Sequence, residues 1–240
     1  IETDEVEILS GIRAGKTLGS PIALLIWNQD WPAWRSIMGA EAAGKGTAAS
    51  DPRSTQREVQ VPRPGHADLV GGIKYSHPDM RNVLERASAR ETTMRVALGS
   101  VAQVFLADLG IALGSRVVRI GTIEDETALN HSVAELNQKA DASPVRCTHV
   151  EIEKKMVEEI TRAKERGDTL GGEIEIYAAG VPVGLGSYVQ WDRRLEGRIA
   201  QAMMSLNAVK SVEVGLGHRV AARPGSAAHD EIFPGKEKGH

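Results

Sequence analysis

Arg63-Pro64-Gly65-His66-Ala67-Asp68 places a cation, a tight turn, an imidazole and a carboxylate in six residues. Further on, Arg86-Ala87-Ser88-Ala89-Arg90-Glu91 sets two arginines around a helix start. Ser88 and Glu91 have the S-x-x-E spacing of a capping box, so Ser88 is the expected N-cap. The first turn of a helix leaves N–H groups unpaired and carries partial positive charge, which suits an anion. A guanidinium fork binds phosphate in a bidentate manner, with about twice the strength of a neutral hydrogen bond. These residue types in this order therefore suit a phosphate. Crowded ionisable groups also tend to mark functional sites. A plainer description fits the same residues: a capped helix with solvated arginines, and a structural histidine. Physics alone leads to an anion site beside a histidine.

The elements that must position these groups follow from periodicity. Met94, Leu98, Val101 and Phe105 recur at helical intervals after Ser88, and Gly110 is a natural stop. Ala67 to Tyr75 reads as a strand or extended segment through Gly71-Gly72, Ser76 to Asp79 as a turn, and Met80 to Glu85 as a short helix. Upstream, Val6–Ile12 and Ser20–Trp27 read as strands of a hairpin or meander around the turn Gly15–Gly19. From Asn28 to Pro62 the pattern fails in a Gly, Ala and Ser-rich stretch, so a flexible loop is expected at about 28–62, with Trp31 and Trp34 as packing anchors. Downstream the expected order is a strand at Val117–Ile123, a helix at Val133–Lys139, and an amphipathic helix at Glu151–Arg166 with Ile152, Met156 and Ile160 as its stripe. A half-buried strand at Glu173–Tyr177, a helix at Trp191–Leu206 and a strand at Val209–Val214 follow. Gly180 to Gly186 lacks the spacing of a dinucleotide fingerprint or a Walker loop. Strand–helix–strand order in both halves hints at an internal repeat.

Composition narrows the classes. The 240 residues suit one domain, and a formal charge of −3 argues against a general nucleic-acid binder. Cys147 is the single cysteine, which excludes an intramolecular disulfide framework and a multi-cysteine metal site; no metal is expected. The most apolar run, Pro21 to Trp27, is far too short to span a membrane, and the acidic start IETDEVEI lacks a signal peptide's pattern.

RPGHAD, then Ile73-Lys74-Tyr75, then SARETTMRVA from Ser88 to Ala97, closely resembles chorismate synthase. The resemblance continues through Gly15–Ile22, Ile26–Asp30, Ala179–Gly186, Met203–Gly215, Arg223–Ser226 and His229–Ile232, in order, and covers about Val6 to Ile232. It implies an α+β fold, a β-α-β sandwich of antiparallel sheets and helices, in one domain over residues 1–240. It implies conversion of 5-enolpyruvylshikimate 3-phosphate to chorismate, an anti-1,4 elimination of phosphate. The enzyme would be a carbon–oxygen lyase of the shikimate pathway that requires reduced FMN, with NADPH a candidate reductant. It further implies a homotetramer in the cytoplasm, or in the plastid for a plant source, with no nucleic-acid or membrane partner.

Residue by residue, the resemblance makes His66 the catalytic histidine, set against the flavin. Arg63 and Arg90 become substrate contacts. Arg86, Ala87 and Ser88 become one flavin-binding run, and Asn207 and Ala208 a second. Ala87 stands where a serine is common. The family's Gly-Glu-Ser-His-Gly motif, the arginine-rich stretch after it, and a C-terminal arginine and catalytic aspartate have no counterpart here, so the chain is expected to be the middle portion. Two other outcomes stay open. One is an incomplete relative that binds flavin or phospho-ligand without turnover, and the other is an interaction protein with merely solvated arginines.

Overall fold

The computed structural model describes residues 4–40, 58–87, 89–128 and 130–233. The chain divides into two compact units, 1–33 with 93–183 and 34–92 with 184–240. Mixed helices and small antiparallel sheets make the fold α+β.

In the first unit, β1 (Val6–Ser10) pairs with β4 (Ala23–Ile26), Glu7 facing Leu25 and Ile8 facing Leu24. The pair β2 (Ile12–Arg13) and β3 (Lys16–Thr17) forms the tip. At Gly11, with φ +86°, a side chain would meet the carbonyl of Pro21 at 2.6 Å, so only glycine fits this corner. The expected hairpin is present.

The larger sheet has the order β6–β5–β7, formed by β5 (Ala112–Ile120), β6 (Ile123–Glu124) and β7 (Gly172–Ala179). Gly114, Arg116 and Val118 point to its covered face. Helices α5 (Val133–Ala142) and α6 (Val150–Glu165) supply the matching core residues Leu136, Ala140, Met156 and Ala163. Gly114 is required by that packing: a Cβ there would lie 2.9 Å from Val133 and 3.2 Å from Leu136. The amide of Asn137 accepts from Ser115 N–H at 3.3 Å and donates to the Leu113 carbonyl at 2.8 Å. Val117 N–H donates to the Arg146 carbonyl at 3.0 Å, and the Arg146 guanidinium donates to the Ser115 carbonyl at 3.1 Å.

The second unit carries α2 (Asp68–Tyr75), α3 (Arg81–Leu84), the start of α4 (Ala89–Asp108) and α7 (Leu195–Met204). Four expectations change here and just before it. Asp68–Tyr75 is helical where an extended segment was expected. Gly71 and Gly72 are there for close approach: a Cβ at Gly71 would sit 2.6 Å from Val83, and one at Gly72 2.7 Å from the Met80 sulfur. Trp31–Met38 is a helix, α1, inside the stretch expected to be a loop; residues 41–57 of that stretch lie outside the described residues. Val209–Val214 has no regular structure, so the second half of the expected repeat does not form. The expected helix at 191–206 is split, because Arg194 is extended (ψ 132°) between the 3-10 turn Trp191–Arg193 and α7.

α4 itself runs as expected to Asp108, closed by Gly110 at φ +79°. Its expected apolar stripe is only partly covered, with Leu98 58% and Phe105 63% exposed. Among the described residues no helix is long and apolar enough to cross a membrane.

Candidate functional site

All of the residues singled out for chemistry fall in the second unit. The turn before α2 is built around one carboxylate. Asp68, fully buried, accepts from Arg63 three times: its backbone N–H at 3.0 Å, Nε at 2.9 Å and Nη2 at 3.1 Å. Gly65 at φ +71° lets the chain fold back between them. The hydrogen bonds of Arg63 hold the Asp68 carboxyl down at about 2, against the opposing cost of burial; the Arg63 guanidinium moves up in return.

His66 lies on the outside of this turn, exposed. Its Nδ1 is 2.9 Å from the Pro64 carbonyl. A carbonyl only accepts, so Nδ1 carries hydrogen and Nε2 is the nitrogen presented outward. That nitrogen can accept or deliver a proton. Segment 58–60, just upstream, is tied to the start of α3: Val59 N–H donates to Asp79 Oδ1 at 2.9 Å, and Met80 N–H donates to the Val59 carbonyl at 2.8 Å. Arg81 lies 4.4 Å over the Trp34 ring, so Trp34 is a packing anchor as expected.

At the helix start, Arg86 is exposed and Ala87 half-buried, on a turn held by Arg86 N–H to Val83 and Ala87 N–H to Leu84. Arg90 pairs with Glu85 at 2.9 Å. Ser88, the expected cap and flavin contact, lies outside the described residues. Glu91, its expected capping partner, accepts from Asn207 Nδ2 at 3.3 Å. That contact brings the Asn207-Ala208 pair to the first turn of α4. Ala208 has φ +69°, a left-handed conformation rare outside glycine that collects at functional sites. Exposed guanidinium, helix-start amides and a side-chain amide form a donor set suited to a phosphate group. A capping box does occur at Ser132 and Glu135, where α5 begins; the S-x-x-E spacing there was readable as the start of that helix.

A second polar cluster, which sequence reasoning missed, lies in the first unit. Arg116, Asp125, Glu175, Tyr177, His149 and Cys147 meet under the sheet. Burial opposes the charge of Asp125, yet bonds from Thr127 and His149 leave its carboxyl below the ordinary range. Burial pushes the Cys147 thiol up, and burial with the Glu175 bond pushes Tyr177 up. The same unit has an open cavity of about 760 Å³ whose walls include Val117, Ile160, Leu170 and Ile174 and none of the candidate residues. Among the described residues no group of three or more His, Cys, Asp or Glu is placed to hold a metal ion.

Small antiparallel sheets beside packed helices, in two units, define an α+β protein. The family model for chorismate synthase matches residues 1–239. Chorismate synthase 1 of Bacillus cereus (strain ATCC 10987 / NRS 248) is 51% identical over all 240 residues, which is 60% of that protein. Chorismate synthase of Listeria welshimeri is 49% identical over the same span. A crystal structure of a chorismate synthase superposes with a TM-score of 0.79 at 45% identity, over 98% of this chain and 62% of that one. The chain belongs to the chorismate synthase family, and it spans about 60% of the length of these curated relatives.

Proposed function

We propose that this chain serves the conversion of 5-enolpyruvylshikimate 3-phosphate to chorismate, with reduced FMN, through the residues of its second unit. The observation that carries the reading is the turn Arg63–Asp68, which sets an outward-facing imidazole nitrogen beside a fixed guanidinium. In the reaction the ring C–O bond to phosphate breaks with its electron pair, a ring hydrogen leaves, and a double bond forms. No net oxidation occurs.

Arg86, the backbone at Ala87 and Ser88, and the Asn207-Ala208 turn would hold FMN. Their donor chemistry fits its phosphate. When bound, reduced flavin would lend electron density transiently to the substrate ring, so that phosphate can leave. The chain's own residues orient and charge-stabilise. Arg63 and Arg90 bind the anionic substrate, and Arg90 does so from its pairing with Glu85. His66 delivers or holds a proton at Nε2, a role of the kind that contributes about 10²–10⁴ in rate.

A homotetrameric, cytoplasmic enzyme with NADPH as a candidate reductant belongs to the same proposal. A second reading is binding of flavin or phospho-ligand without turnover, for which the exposed Arg86 and the Asn207 contact at the helix start would suffice. An anaerobic assay separates the two: protein, chemically reduced FMN and 5-enolpyruvylshikimate 3-phosphate, followed by chorismate absorbance. Chorismate supports the lyase. Saturable FMN or substrate binding without chorismate supports the second reading.

A further inference from the structure

We infer that Asp68 is a positioning residue for the phospho-substrate, acting through Arg63. The inference rests on the functional reading above. It starts from an oddity of burial: Asp68 is completely buried, while Arg63, Pro64, Gly65, His66 and Ala67 around it are exposed. Carboxylates are almost never fully buried unless paired. Among the described residues its hydrogen bonds come from Arg63, through the backbone N–H, Nε and Nη2.

That arrangement decides which part of Arg63 is left for a ligand. A guanidinium is a planar fork whose edges each hold one carboxylate or phosphate. Asp68 takes the edge formed by Nε and Nη2, at 2.9 and 3.1 Å. Nη1 and the outward N–H of Nη2 have no partner among the described residues, on a side chain still 45% exposed. The charge of the guanidinium is therefore presented in one fixed direction. An arginine without this clamp would lose rotamer freedom at each binding event, and the clamp removes that cost before the substrate arrives. The carboxylate also closes the turn on which His66 is carried, through the Arg63 backbone N–H. Asp68 touches neither ligand nor reacting atoms in this account; its effect passes through Arg63.

The test uses the full-length protein with Asp68→Asn, Arg63→Ala and the double variant. Urea unfolding, calorimetric affinity for 5-enolpyruvylshikimate 3-phosphate, and steady-state kcat and KM are measured for each. A binding contact kept through the reaction is lost in KM, whereas a purely structural defect lowers kcat with the folded fraction and leaves KM alone. Asp68→Asn is expected to weaken affinity and raise KM on the order of tenfold, with kcat within about twofold. In the Arg63→Ala background Asp68→Asn adds nothing further. Wild-type affinity in Asp68→Asn, or full additivity in the double variant, overturns the inference. If Asp68→Asn does not fold, Arg63→Lys decides: it keeps the charge and lacks the fork. A loss of affinity in folded Arg63→Lys supports the inference, and wild-type affinity overturns it. If the wild-type protein binds no substrate, the functional reading fails and this one with it. Wild-type binding with unaffected variants overturns this one alone.

Discussion

Arg116 and Glu175 face each other across β5 and β7, with Nη2 of the arginine 2.8 Å from the carboxylate. The arginine is 4% exposed, and it also donates to the Thr127 carbonyl at 2.8 Å and lies 3.5 Å from Asp125. Burial works against its charge, yet Glu175 holds the guanidinium above its ordinary value. Arg116→Met would leave Asp125 buried with less compensation. The expected loss is about 3–5 kcal/mol in urea unfolding. Glu175→Gln should cost less, about 1 kcal/mol, since Glu175 is 33% exposed. Equal losses from the two substitutions would refute this ordering.

The buried aspartates give the stability a pH dependence of known sign. Asp68 titrates at about 2 in the folded protein, below its unfolded value of about 3.9, and Asp125 is also lowered. Groups depressed on folding contribute stability that is complete above the unfolded value and lost as pH falls through the folded one. Unfolding free energy should therefore decline from about pH 4 toward pH 2. The gap between wild type and Asp68→Asn should narrow over the same range, which denaturant titrations at several pH values would reveal.

Close packing of α2 on α3 predicts a rescue. Gly71→Ala places a methyl 2.6 Å from Val83 and should destabilise by about 1–3 kcal/mol. Val83→Ala in the same chain removes the clash, so the double variant should melt above Gly71→Ala alone. Thermal unfolding of the three variants measures this, and a double variant less stable than Gly71→Ala contradicts the packing argument.

His66 is exposed, and its ring is held to its own turn by the hydrogen bond from Nδ1 to the Pro64 carbonyl. His66→Ala should leave stability within about 0.5 kcal/mol of wild type and lower turnover at least about tenfold. Near-normal turnover would remove His66 from the proposed chemistry.

Much of the fold was legible wherever one period ran long enough. The helix from Ala89 to Asp108, the amphipathic α6 and the alternating β7 all lie where residue spacing puts them. Gly71-Gly72 misled because glycine serves both extended turns and close helix contacts, and only Val83 and Met80, met across space, tell the two apart. Val209–Val214 is rich in valine as a strand would be, but composition supplies no partner, and no described strand pairs with it. For the candidate site, residue types were readable and geometry was not. The pairing of Asp68 with Arg63 and the contact of Asn207 with Glu91 depend on how the chain returns on itself.

The contacts of Asn137 and Arg146 have a consequence for association. Leu113, Ser115 and Val117 turn backbone groups away from β7, toward the side where a further strand would dock. Asn137 occupies the Leu113 carbonyl and the Ser115 N–H, and Arg146 occupies the Ser115 carbonyl and the Val117 N–H. A side-chain amide and an arginine thus impersonate a missing strand. A foreign chain meets a ladder already occupied at these four groups, which disfavours edge-to-edge assembly there without a proline or a row of lysines.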